Sequence, residues 1–129
     1  MSGLFQIRME LARTDGFPEG SRDHGYVFVV PLSEDGYIDS ERWNAVKEKC
    51  FVNRFWGDEP IQHGTLRRVG RGWRFDYDAN TDEDDEPFFK LDRHALEPGN
   101  YVSVTEQDGI QRPFRIVSIE PVDNYEKML

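Results

Sequence analysis

The sequence predicts a mainly β (α+β) chain, a small curved sheet or partly closed β-barrel of about seven short strands with one covering α-helix. Three observations carry this prediction. Apolar and polar residues alternate in several short segments, the signature of strands with one buried face. Turn-forming Gly, Pro, Asn and Asp punctuate the chain at close intervals between those segments. Only one segment repeats its apolar residues at helical spacing.

The first strand is LFQIRMELA, with Phe5, Ile7, Met9 and Leu11 on one face and Leu4, Gln6, Arg8 and Glu10 on the other. RTDGFPEGSRDHG follows, with three Gly, one Pro and two Asp in thirteen residues, and is a long loop by composition. YVFVVPL reads as a central strand that Pro31 ends or places at an edge. After SEDGY comes the helix: Asp39 or Ser40 caps it, Glu41 suits its positive end, and Trp43, Val46 and Cys50 share one face. FVNRFW and IQHGTLRRV are strands joined by GDEP. GRG turns the chain into WRFDYD, where Trp73, Phe75 and Tyr77 share a face. ANTDEDDE is an acidic loop, PFFKL a short strand, and YVSVTE and RPFRIVSIEPV a closing hairpin about the turn QDG. One domain over residues 1–122 is expected, with 123–129 a flexible tail.

Bulk composition narrows the function classes. The 129 residues carry 25 acidic and 16 basic side chains, a net charge of −9, which repels polyanions at long range and makes protein partners more favourable than nucleic acid. Cys50 is the single cysteine, so no internal disulfide forms. MSGLFQIRMELAR places charges at positions 8, 10 and 13 and so has no apolar leader core. No long apolar run suits a membrane span, and a cytoplasmic location is expected.

The segments PGNYV at Pro98 to Val102 and RPF at Arg112 to Phe114 resemble, over a short stretch, the flavin-contacting segments of ferredoxin-reductase-like flavin barrels. That resemblance implies an arginine on a flavin phosphate and a tyrosine and serine at the ring. Phe114 lacks the tyrosine hydroxyl, and Arg115 stands where the serine belongs. The stretch is therefore read as a structural hairpin, and no cofactor is expected.

Charge is most polarised around the WRFDYD strand. Arg67, Arg68, Arg71 and Arg74 are followed by Asp76, Asp78, Asp82, Glu83, Asp84, Asp85 and Glu86. The two runs offset each other across a solvated surface, or the arginines beside an exposed Trp73 form a contact patch. DYDANTDEDDEP has three calcium-loop ligands in Asp76, Asp78 and Asn80. It lacks the glycine and the final glutamate, so only an adventitious divalent cation at 79–86 is considered. His24, His63 and His94 lie at no metal-ligand spacing, and no metal site is assigned. His63 shares a strand face with Ile61 and Thr65, which predicts partial burial. Cys50, on the apolar helix face, is read as an inert thiol. No nucleophile elbow or phosphate loop is present, and the exposed acidic run lacks the desolvation that tunes catalytic carboxylates.

These observations favour a non-catalytic binding or interaction module that uses an Arg/aromatic surface of Arg68, Arg71, Trp73, Tyr101, Arg112, Phe114 and Arg115. The alternative is a small-molecule-binding or enzymatic barrel with an aromatic-lined pocket.

Overall fold

The computed structural model describes residues 3–69, 72–77, 86–88, 95–106 and 109–122. Among these residues eight strands follow one another around a barrel in chain order: β1 Gly3–Leu11, β2 Ser21–Leu32, β3 Phe51–Trp56, β4 Gln62–Val69, β5 Gly72–Tyr77, β6 Glu86–Phe88, β7 Tyr101–Thr105 and β8 Gln111–Pro121. Every neighbouring pair is antiparallel, and β8 returns to pair with β1, from Leu11↔Phe114 to Phe5↔Pro121. Among the described residues β6 meets β7 at Phe88↔Val104. The predicted mainly β architecture with one covering helix is the one observed.

Strand parity decides what enters the core. Ile7, Met9 and Leu11 of β1 are buried, as are Val102 and Val104 of β7, in agreement with their alternation. The interior is filled by rings: Tyr26 packs on Phe75 at 4.9 Å between centroids and on Phe114 at 5.1 Å, and Phe28 packs on Phe75 at 5.5 Å. Such tilted and edge-on pairs suit the ring quadrupole and let three strands share one aromatic layer.

Two local expectations need correction. The glycine-rich segment after β1 is not wholly a loop. β2 already begins at Ser21, and a register shift sets Glu10 opposite Gly25 but Leu11 opposite Ser21. Only residues 12–20 connect the strands, tightened by Thr14 N–H donating to the Phe17 carbonyl and Phe17 N–H to that of Thr14. Composition hid the strand because the bulge admits polar residues that a regular ladder would not. His63 is exposed, not partly buried, and its Nδ1 bonds Asn53 Oδ1 across the β3–β4 pair.

The Pro31 expectation is refined. β2 runs through Pro31 to Leu32, but its pairing with β3 ends at Phe28↔Val52. Beyond that point the segment before the helix takes the place of β3, with Asp39 N–H donating to the Pro31 carbonyl and Leu32 bridging Ile38, so the missing N–H of Pro31 removes no bond to β3.

The helix, α1 Ser40–Val46, continues as a 3₁₀ turn over Lys47–Lys49. Asp39 is its N-cap, its carboxylate accepting from Arg42 N–H. Trp43 and Val46 pack partly buried against the core, and Trp43 Nε1 donates to the Leu66 carbonyl at 3.1 Å. The indole ring of Trp43 stands edge-on over Trp73, 5.3 Å between centroids at 82°. The helix thus covers the barrel end at which β4 passes into β5. Among the described residues no helix is long and apolar enough to cross a membrane.

Candidate functional site

The residues singled out from sequence are divided among three places. Trp73 and Phe114, expected at the surface, are buried at 1% and 0% exposure, because each falls on the inward parity of its strand. Tyr101 is 62% exposed, and Arg115 is exposed beside it. Arg112 turns inward and Arg68 lies at the rim of the helix-covered end. Arg71, His94 and the acidic segment proposed for cations lie outside the described residues, apart from the backbone of Glu86. Residues 123–129 also lie outside them.

The first place is a groove of about 800 Å3 on the outer face of the barrel, lined in part by Glu10, Arg13, Glu19, Arg22, Tyr101 and Arg115. Strand pairing builds it: Tyr101 is the cross-strand partner of Arg115, and Arg115 is in turn the partner of Glu10. A ring therefore stands beside a guanidinium on one exposed stripe. Arg13 is fixed by its Nε donating to the Pro18 carbonyl at 2.9 Å. Three arginines against two glutamates make this a cationic patch on a chain of charge −9.

The second place is inside the barrel at the end away from the helix, and sequence reading missed most of it. Glu106, 3% exposed, accepts a hydrogen bond from the Tyr26 hydroxyl on Oε2. Arg54 Nε lies 3.5 Å from the same oxygen, and Arg112 Nη1 lies 3.7 Å from Oε1, which has no hydrogen-bond partner among the described residues. Both guanidinium groups lie over Trp56, at 4.3 and 5.8 Å from its centroid. Arg54 also reaches Glu59 at 3.9 Å. His24 packs between Phe17 and Trp56, and its Nδ1 is 2.6 Å from Ser21 Oγ. A carboxylate between two arginines inside an aromatic wall is a charge cluster that joins β2, β3 and β8 to the residue that follows β7. Its signal was legible in principle: Arg54 shares parity with Val52, and Glu106 with Val102 and Val104, so charged residues occupied apolar positions.

The third place is a cleft of about 340 Å3 between the helix and β4, lined by Trp43, Lys47, Glu48, Thr65, Leu66, Arg67 and Arg68. Arg67 pairs with Asp76 at 2.6 Å, the meeting of basic and acidic runs expected from the sequence. Both side chains are partly exposed, so the pair adds less than about 1 kcal/mol.

Cys50 is fully buried, with Sγ 3.5 Å from the Val46 carbonyl, and burial pushes its thiol up to about 12. Its neutral form is the folded form. The associated stability is fully present below the ordinary thiol value and is lost as pH rises from there towards 12. At pH 8 a disulfide reagent is expected to label native protein far more slowly than protein in denaturant. Equal rates would show that the thiol is accessible. Among the described residues, no three His, Cys, Asp or Glu side chains gather into a metal-binding group.

Comparison with protein-family models, curated proteins and solved structures finds no match.

Proposed function

We infer that the protein is a non-catalytic interaction module of the cytoplasm whose contact surface is the Tyr101–Arg115 groove. The observation that supports this most is Tyr101, 62% exposed and directly paired with Arg115 in a groove holding two further arginines. Tyrosine and arginine supply a large share of contact energy in interfaces: the ring offers area at little entropic cost and the guanidinium offers a fork of donors. The local excess of cations suits a protein segment with an acidic side chain beside an apolar one. The net negative charge of the rest of the chain disfavours nucleic acid.

The test is affinity capture with the full chain at physiological salt, comparing wild type with Tyr101→Ala/Arg115→Ala. Proteins retained by wild type are expected to be lost from the double variant. They should be kept by Ile61→Ala, an exposed apolar change outside the groove. A double variant that folds and retains the same proteins would remove the groove from consideration. Circular dichroism of both variants guards against loss of fold.

A further inference from the structure

We propose that the Tyr101–Arg115 groove recognises a phosphorylated side chain of a partner protein, a phosphate monoester in chemical class. The inference rests on the reading of this groove as a contact surface and names the group that the groove selects.

Strand pairing sets the cations in one row. Tyr101 on β7 faces Arg115 on β8, and Arg115 faces Glu10 on β1. On β2 the register passes from Glu10↔Gly25 to Leu11↔Ser21, so Arg22, Asp23 and His24 have no partner on β1. A bulge re-aims side chains out of the ladder, and Arg22 is exposed on the groove wall. Arg115 and the bulge flank β1, two strand spacings or about 10 Å apart. Two extended arginine side chains close such a gap on one group held between them.

Three features select a phosphate over a carboxylate. The first is that neither the Arg22 nor the Arg115 guanidinium has a partner among the described residues, and both line the groove. One guanidinium satisfies the two oxygens of a carboxylate. A phosphate monoester has three acceptor oxygens and a charge of about −1.5 to −2 near neutral pH, enough for both. The second feature is Arg8, which donates from Nε to Glu10 at 2.8 Å and from Nη2 to the Arg22 carbonyl at 3.1 Å. It offsets the carboxylate in the row and pins the backbone of the bulge. Arg13, held by the Pro18 carbonyl, adds a third cation to the groove.

The third feature is the Tyr101 ring, 62% exposed, with no ring or cation against it among the described residues. It offers a flat face to the side chain that carries the phosphate, and an aryl phosphate makes the fullest use of that face. The net charge of −9 repels nucleic acid and anionic membranes at long range, so a singly phosphorylated protein segment is the source that suits the chain.

The test titrates the full chain with three fluorescent peptides, Ala-Ala-X-Ala-Ala, in which X is phosphotyrosine, tyrosine or glutamate. The phosphotyrosine peptide is expected to bind about tenfold or more tightly than the other two. Arg22→Gln and Arg115→Gln are each expected to raise its Kd roughly tenfold, the loss of one charge-assisted contact. Glu19→Gln removes a groove carboxylate that has no partner among the described residues, and should tighten binding. Arg67→Gln, in the cleft beside the helix, should leave the Kd unaltered. Equal affinity for the phosphotyrosine and glutamate peptides, or an unchanged Kd in both groove arginine variants, would overturn the proposal. So would inorganic phosphate that competes as well as the unlabelled phosphopeptide, the mark of an adventitious ion only. Loss of partner capture in Tyr101→Ala/Arg115→Ala together with equal peptide affinities would sink the phosphate specificity and leave the groove as a contact surface. Retained capture with no binding of any peptide would remove both.

Discussion

Replacing Glu106 with Ala is expected to lower the unfolding free energy by about 3–5 kcal/mol, the usual cost of removing one partner from a buried ion pair. The carboxylate is 3% exposed and accepts from Tyr26, with Arg54 and Arg112 on either side. Its loss takes from Arg54 and Arg112 the buried carboxylate between them and removes the acceptor of the Tyr26 hydroxyl. Tyr26→Phe removes only one hydrogen bond to a charged group and should cost less, about 1.5–3 kcal/mol. Glu106→Gln keeps the shape and an acceptor but not the charge, and should fall between them. Urea unfolding is the measurement, with the midpoint moving and the slope unchanged. A Glu106→Ala loss below about 1 kcal/mol would mean that solvent screens the cluster as it does an exposed pair.

The second large effect is expected at Gly25. A Cβ there would stand 2.1 Å from the Met9 carbonyl oxygen, 3.0 Å from Phe55 Cζ and 3.1 Å from Glu10 Cα. The obstacle is mostly backbone of the neighbouring strand, which cannot rotate away. Gly25→Ala must therefore separate β1 from β2 at the register shift beside it, for a cost of about 3 kcal/mol or more. Gly16 provides the contrast. Its φ is +85°, and nothing lies within 4 Å of an added Cβ, so Gly16→Ala carries only the conformational penalty, about 1 kcal/mol. Equal losses from the two substitutions would show that β1 and β2 yield at the bulge. Thermal unfolding of the two variants side by side decides between these outcomes.

The contrast between these glycines shows what local pattern can convey. Gly16 lies in a turn, and turn chemistry is written in neighbouring residues such as Asp15 and Pro18. Gly25 sat in the same glycine-rich stretch and looked alike, yet its role comes from a strand that the sequence brings back from fifteen or more positions away. The same distinction divides the candidate surface. Tyr101 was expected on the outward parity of β7 and is there, since period-two alternation is a local property. Trp73 and Phe114 were expected to contribute rings to a surface, but their parity is inward and the barrel encloses them. Arginine runs nearby suggested exposure. A long side chain on an inward position can still carry its charge to a rim, as Arg68 does beside Trp73, so neighbouring charge is a poor guide to where a ring points.

The sequence by itself determined the set of strands, the single capped helix and most of the face that each strand buries, because alternation and capping act within a few residues. Only the tertiary structure decided which side chains meet. Tyr26 and Glu106 are 80 residues apart, and Arg54 and Arg112 join them from two further strands. Their meeting depends on the register at each successive strand pair and on the final closure of β8 against β1. Registers are fixed by bulges, turns and the fit of the whole core, so no window of the chain contains them. The charged cluster away from the helix, the groove at Tyr101 and the cleft under the helix all arise from that closure.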